Sequence, residues 1–238
     1  MHILAHYHQA VARRRWSLLL ALLLGVMLLE PIFGAGLGVE MTTLVLLALI
    51  FIGTVQAADI PPPYQRSGHV IVGIWFVTSL LASLGIPTGG LLAIETTVLL
   101  AGALWQTFAF LVRKRVADKD ALMGALFGYV LLALVWAVLY IHIERWRPGA
   151  FALAGDGNLV GQMIYFSLVT ITTLGYGDIL PVDPLARICA GLQAAVGTLY
   201  VAVLIGSIVG AFGTSGADRA RPPAVSDDPA SSDERPDP

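Results

Sequence analysis

The sequence predicts an all-α integral membrane protein. Of its 238 residues 57% are hydrophobic and only 13% are charged, about half the charged share of a soluble domain, and the mean hydropathy is +0.78. The apolar residues fall into runs long enough to cross a hydrocarbon core, which takes roughly 20 residues of helix. One shorter apolar segment, between the last two runs, leads straight into a glycine-containing loop.

In chain order the expected spans are Trp16–Phe33, Met41–Ala58, Val70–Ile86, Leu91–Val112, Ala121–Ile143 and Leu185–Phe212. Arg13-Arg14-Arg15 ahead of Leu18–Leu24 is also the arrangement of a secretory signal peptide. The apolar stretch is long for a signal core, however, and Ala35-Gly36 makes only a weak cleavage site, so the first run is read as a span. The segment Leu159–Thr172 measures about 21 Å as a helix, too short to span. A re-entrant helix fits it: a membrane tolerates the bare backbone that follows only where protein or a water-filled cavity covers it. Asp156 or Asn158 is placed to cap its N-terminus, and its C-terminal end directs partial negative charge at the loop.

Lysine and arginine set the orientation. With the N-terminus inside, eleven of the 14 (Arg13, Arg14, Arg15, Arg66, Arg113, Lys114, Arg115, Lys119, Arg219, Arg221, Arg235) face the cytoplasm and three (Arg145, Arg147, Arg187) lie outside. Both termini are then cytoplasmic and the glycine-containing loop is at the outer face. The organisation that follows is a cytoplasmic N-terminus (1–15), a peripheral four-helix unit (16–112), a linker (113–120), a unit of two spans with the re-entrant segment between them (121–213), and a polar tail rich in Pro, Ser and Asp (214–238) expected to be disordered.

Several function classes are excluded. A net charge of −2, with basic residues clustered at the ends of apolar runs, carries no nucleic-acid signal. There is no nucleotide-binding glycine loop of Walker type, no zinc-binding helix motif and no nucleophile with a base, so no enzyme is expected. Cys189, inside the last apolar run, reads as a small packing residue. His2, His6 and His8 read as solvated residues of a terminus rather than a metal site. His142 and Glu144 sit near the outer end of the fifth span, where protonation could act on the loop.

The loop Thr173-Leu174-Gly175-Tyr176-Gly177-Asp178 carries the chemistry. A backbone that turns successive carbonyls toward one axis needs residues able to enter the left-handed region, which Gly175 and Gly177 do without a side-chain clash. Extended to Thr170-Ile171-Thr172-Thr173-Leu174-Gly175-Tyr176-Gly177-Asp178, this stretch resembles the signature of the potassium channel family, and the resemblance covers about residues 121–213. It implies a homotetramer around one pore, since the chain holds a single copy of the motif. It also implies potassium ions held by the carbonyls of Thr173, Leu174, Gly175 and Tyr176 and by the Thr173 hydroxyl, with Gly177 and Asp178 closing the filter at the outer mouth. Thr172, Tyr165 and Phe166 take supporting positions, the last two where the family carries an aromatic pair that braces the filter tyrosine. Val169 stands where some bacterial members have a glutamate bonded to the aspartate at the position of Asp178, so that brace is missing. Gly197 lies where the family has a gating hinge in the inner helix, and close helix packing is the other reading of it. No cofactor is implied; potassium is the permeant ligand, and membrane lipid is the surrounding partner.

Six spans with the pore in the last two resemble the architecture of voltage-gated potassium channels, which sense voltage with about 3–4 charges per subunit on the fourth helix. Leu91–Val112 has no basic residue, and Arg113, Lys114 and Arg115 at its inner end read as an anchor, so weak or absent voltage dependence is expected. Glu95, an acid inside that helix, either finds a partner or reaches the outer interface; Asp59 lies at an inner boundary. The short Arg113–Asp120 linker favours packing of the peripheral helices on their own pore unit. A non-selective cation channel, a potassium transporter subunit and a non-conducting accessory subunit are the rival readings. An intact Tyr176 opposes the first, and the single complete motif opposes the others.

Overall fold

A computed structural model describes residues 15–34, 36–57, 62–88, 90–113, 119–153, 155 and 158–219. Arg13, Arg14, Lys114, Arg115, Asp59, Asp156, the N-terminal histidines and the tail after Arg219 lie outside them. The described helices are α1 (Arg15–Phe33), α2 (Leu37–Ala57), α3 (Pro62–Ser83), α4 (Leu91–Arg113), α5 (Lys119–Trp146), α6 (Leu159–Ile171) and α7 (Pro184–Arg219). A two-residue strand pair, β1 (Phe151–Ala152) and β2 (Leu180–Pro181), joins the segments before and after α6 in antiparallel register.

Among the described residues, five helices (α1, α2, α4, α5 and α7) are long and apolar enough to cross a membrane. The expected third span differs. It starts at Pro62, because proline is tolerated in a first helical turn where its missing N–H costs nothing. Its early turns carry Gln65, Arg66 and His69, and it falls short of the apolar length of the other five. It ends at Ser83 rather than Ile86. Gly85, at φ +83°, donates to the Ala82 carbonyl at 3.0 Å and the Ile86 N–H donates to Leu81 at 3.0 Å, a Schellman cap that turns the chain out of the helix.

Two apolar cores divide the chain along α5. The first joins α1 to α4 with the N-terminal half of α5: Trp16, fully buried, packs on Phe110 and Phe127 with ring centroids 4.9 and 5.7 Å away, and Phe51 meets Trp75 edge-on at 5.3 Å. The second gathers the C-terminal half of α5, the β1 segment, α6 and the start of α7 around Tyr140, Phe151, Met163 and Phe166. Tyr140, Phe151 and Phe166 form an edge-to-face triangle with centroids 5.1–5.4 Å apart. The strand pair that supplies Phe151 was not foreseen in an all-helical reading. It is too short to leave a hydrophobic alternation in the sequence.

Tertiary bonds fasten the C-terminal end of α5 to the segment before α7. Glu144 accepts from the N–H groups of Gly149 and Phe151 (2.8 and 3.0 Å), and Arg147 pairs with Asp183 at 3.0 Å. These contacts close the turn between α5 and β1 and hold it against the segment that opens α7.

Candidate functional site

Helix α6 begins at Asn158, whose side-chain oxygen accepts from the Val160 N–H at 3.1 Å, the capping bond expected of it. The same side chain donates to Glu30 near the C-terminal end of α1 (3.2 Å), a tie between α1 and α6 that needs the folded chain to be seen.

At its other end α6 runs into the Thr173–Asp178 loop, where the backbone alternates in hand. Thr173, Gly175 and Gly177 have φ of +59°, +57° and +79°, while Leu174 and Tyr176 do not. Alternation of right- and left-handed residues puts successive N–H groups on one side and successive carbonyls on the other. The N–H groups are used: Thr172 donates to Leu168 (3.2 Å), Thr173 to Thr170 (3.0 Å), and Leu174 and Gly175 both to Val169 (2.9 and 3.3 Å). The last-turn carbonyls of α6 therefore anchor the loop. Among the described residues no hydrogen bond ends on the carbonyls of Thr173, Leu174, Gly175 or Tyr176. Residues 172–178 are all exposed in the single chain. The loop is a row of unpaired carbonyl oxygens on a fixed support, the arrangement that can replace the water shell of a cation. Thr173 is the single non-glycine at positive φ among the described residues, a conformation that costs roughly 1–2 kcal/mol and is held by the bonds on either side of it.

The flanking side chains divide their tasks. Tyr165 donates to Asp178 at 2.7 Å, and the other Asp178 oxygen accepts from the Ile179 N–H at 3.1 Å. The Tyr165 hydrogen bond holds the Asp178 carboxyl below the ordinary carboxylate range. Val169 offers no side-chain partner to Asp178, and Tyr165 supplies one from a turn earlier. Among the described residues the rings against Phe166 are those of Tyr140 and Phe151, so it buttresses α6. The Thr172 hydroxyl donates to the Leu168 carbonyl at 2.7 Å.

Gly197 lies against the C-terminal end of α6. A Cβ there would stand 2.6 Å from Ile171 Cγ1 and collide with the Ile171 carbonyl oxygen, which also accepts from Tyr129 at 3.0 Å. Four residues earlier on α7, Gln193 reaches α6 through Ser167. Sequence reading passed over Gln193, although an amide in the middle of an apolar run is a signal, because such groups need partners.

The remaining sequence candidates fall elsewhere. Glu95 accepts a long 3.4 Å bond from Thr78, while its second oxygen is buried without a hydrogen-bond partner. His142 Nδ1 lies 2.6 Å from the Val138 carbonyl, and Glu144 is used in the turn described above. Between Leu91 and Val112 the chain carries no basic residue.

Residues 126–213 match the family model described as "Ion channel". Similar proteins include the potassium voltage-gated channel protein shk-1 of Caenorhabditis elegans, 42% identical over 66 residues, which are 26% of this chain and 12% of the relative. The inward rectifier potassium channel Kirbac3.1 of Paramagnetospirillum magnetotacticum is 33% identical over 88 residues (35% of this chain, 27% of the relative). The voltage-gated potassium channel of Aeropyrum pernix is 26% identical over 87 residues (37% and 28%). Over this stretch the chain is similar to members of the potassium channel family. The family consists of ion channels rather than enzymes, and the channel segment contains all of α6, the loop and α7 through residue 213. The chain spans about 12% to 28% of the length of these relatives. No solved structure matches the chain.

Proposed function

We propose that the chain is one subunit of a homotetrameric, potassium-selective channel that conducts ions passively down their gradient. The observation that carries this is the row of unpaired carbonyls from Thr173 to Tyr176, in which the N–H groups of Thr173, Leu174 and Gly175 are tied back to α6. Four such loops around an axis form stacked rings of oxygens, with the Thr173 hydroxyls as the innermost ring. An ion entering from the cell exchanges water for these oxygens, and neighbouring ions expel one another by repulsion, so that binding does not become trapping. The C-terminal ends of four α6 helices add partial negative charge beneath the filter. Asp178 and Gly177 finish the outer mouth. Potassium is the permeant ligand and no cofactor takes part.

In this reading α3 crosses the membrane as a sixth span, both termini are cytoplasmic and the protein resides in the cell membrane, in keeping with the distribution of lysine and arginine. The helices of residues 16–112 surround a pore domain of residues 121–213. With no movable charge between Leu91 and Val112, the transmembrane field has little to act on, and opening depends weakly or not at all on voltage.

The test is the reversal potential of the purified protein in planar bilayers under a potassium-to-sodium gradient, with a voltage series and Gly175→Ala as control. A reversal near the potassium equilibrium potential, abolished by Gly175→Ala, with open probability flat across voltage, is the expected result. A reversal near zero refutes selectivity, and a steep voltage dependence refutes the silent fourth helix.

A further inference from the structure

We propose that Gln193 is a positioning residue of the conduction pathway: from α7 it fixes the turn of α6 whose carbonyls anchor the filter. The inference rests on the reading of the loop as a conducting filter.

Gln193, Ser167 and Tyr140 are all fully buried. Gln193 Oε1 accepts from the Tyr140 hydroxyl of α5 at 2.6 Å, and Nε2 lies 3.0 Å from the Ser167 carbonyl and 2.6 Å from its hydroxyl oxygen. The Ser167 hydroxyl then donates to the Ala133 carbonyl of α5 at 2.6 Å. Each polar end of the amide is thus satisfied, and one side chain joins α5, α6 and α7. A buried network of this kind holds a geometry firmly, because breaking any bond strands a polar group away from water.

Its position makes it bear on conduction. Gln193 and Gly197 are one helical turn apart on α7, and they meet Ser167 and Ile171, one turn apart on α6. Between those two points lie Leu168, Val169 and Thr170, whose carbonyls receive the N–H groups of Thr172, Thr173, Leu174 and Gly175. A shift of Ser167 relative to α7 therefore moves the acceptors that orient the loop, and with them the carbonyls on its other side. If the amide were lost, Ser167 and Tyr129 would still bond α6 to α5, but among the described residues only apolar contacts would hold that turn to α7. Generic core packing would not need an amide here, since Met has nearly the same length and no polar group to satisfy.

The experiment compares wild type, Gln193→Met, Gln193→Glu, Ser167→Ala and the Gln193→Met/Ser167→Ala double variant by single-channel recording in planar bilayers, alongside the thermal stability of the assembled protein. A carboxyl buried at this depth stays protonated at neutral pH, since burial raises its pKa by up to about 3–5 units. Gln193→Glu thus keeps an acceptor for Tyr140 and one donor for Ser167. We expect Gln193→Met to shorten the mean open dwell about tenfold and to lower the potassium-over-sodium permeability ratio severalfold, Gln193→Glu to stay within about twofold of wild type, and the double variant to be no worse than the more affected single one. Equal behaviour of the Met and Glu variants, or losses of stability with dwell times and permeability ratio unchanged, overturns the inference. If Gln193→Met does not assemble, Tyr140→Phe, which removes one hydroxyl and keeps the ring, carries the same test: shortened dwells support the inference and unchanged dwells overturn it. Absence of potassium current from the wild type would instead refute the reading of the loop, so the two failures are distinguishable.

Discussion

Replacing Gly197 by alanine separates a packing role from a hinge. The added Cβ would stand 2.6 Å from Ile171 Cγ1 and closer still to the Ile171 carbonyl oxygen. Carbon atoms rest about 3.5–4.0 Å apart, so α7 and the end of α6 must part by roughly 1 Å. The Ile171 side chain can give way. Its carbonyl cannot, because it belongs to the last turn of α6 and accepts from Tyr129. Overpacking of this kind costs about 1–3 kcal/mol. Parting the helices by about 1 Å also carries the 3.0 Å Gln193–Ser167 bond beyond hydrogen-bond range, which adds about 1–3 kcal/mol for the stranded groups. Against this stands about 1 kcal/mol gained by alanine over glycine in a helix. The balance is a loss of roughly 1–5 kcal/mol per subunit. It is measured as the heating temperature at which the detergent-solubilised assembly disappears from size-exclusion chromatography, with Gly102→Ala, where a Cβ meets nothing within 4 Å, as the control. Gly197→Ala should fall well below wild type while Gly102→Ala stays level or rises. If Gly197→Ala is as stable as the control yet fails to open, the close contact does not govern this position and hinge bending does.

Three further outcomes follow from the geometry. Because Asp178 is held below the ordinary carboxylate range by Tyr165, the brace is fully present above that range, about pH 4, and is lost only as pH falls through the depressed value. Tyr165→Phe should therefore move the acid loss of conduction to higher external pH, and identical midpoints in both proteins would show that the hydrogen bond is not what holds the carboxylate ionised. Gly128→Ala brings a Cβ to 2.8 Å from the Tyr200 hydroxyl, which donates to the Ala125 carbonyl at 2.7 Å; a loss of about 1–3 kcal/mol in thermal stability is expected, and an unchanged melting temperature would refute the close α5–α7 approach. In the turn after α5, Glu144→Ala, which frees two backbone N–H groups, should destabilise more than Arg147→Ala, whose pair with Asp183 is open to solvent on the arginine side and worth about 1 kcal/mol. The reverse order would refute the assignment of these roles.

The parts legible in the sequence were those governed by local rules. Five helices long and apolar enough to span follow from composition along the chain, and α6 announces itself by being too short. Gly175 and Gly177 lie at positive φ, where a glycine is the residue a left-handed backbone favours, and Asn158 caps α6 as its place before an apolar run suggests. Thr173 at positive φ was not legible, because a threonine enters that region only when its neighbours' hydrogen bonds hold it there.

What the sequence by itself determined is the membrane class, the order of the helices and the position of the loop, since each depends on residues within one or two turns of one another. The tertiary structure decided which carbonyls of α6 receive the loop's N–H groups, that Tyr165 meets Asp178, that Gly197 admits the Ile171 carbonyl, and that Gln193 bridges α5 and α6. These pairings join residues up to 53 positions apart, as Tyr140 and Gln193 are. Nothing in either local stretch selects the other: a hydrogen bond of fixed length between them exists only once the apolar cores have brought their helices to that distance.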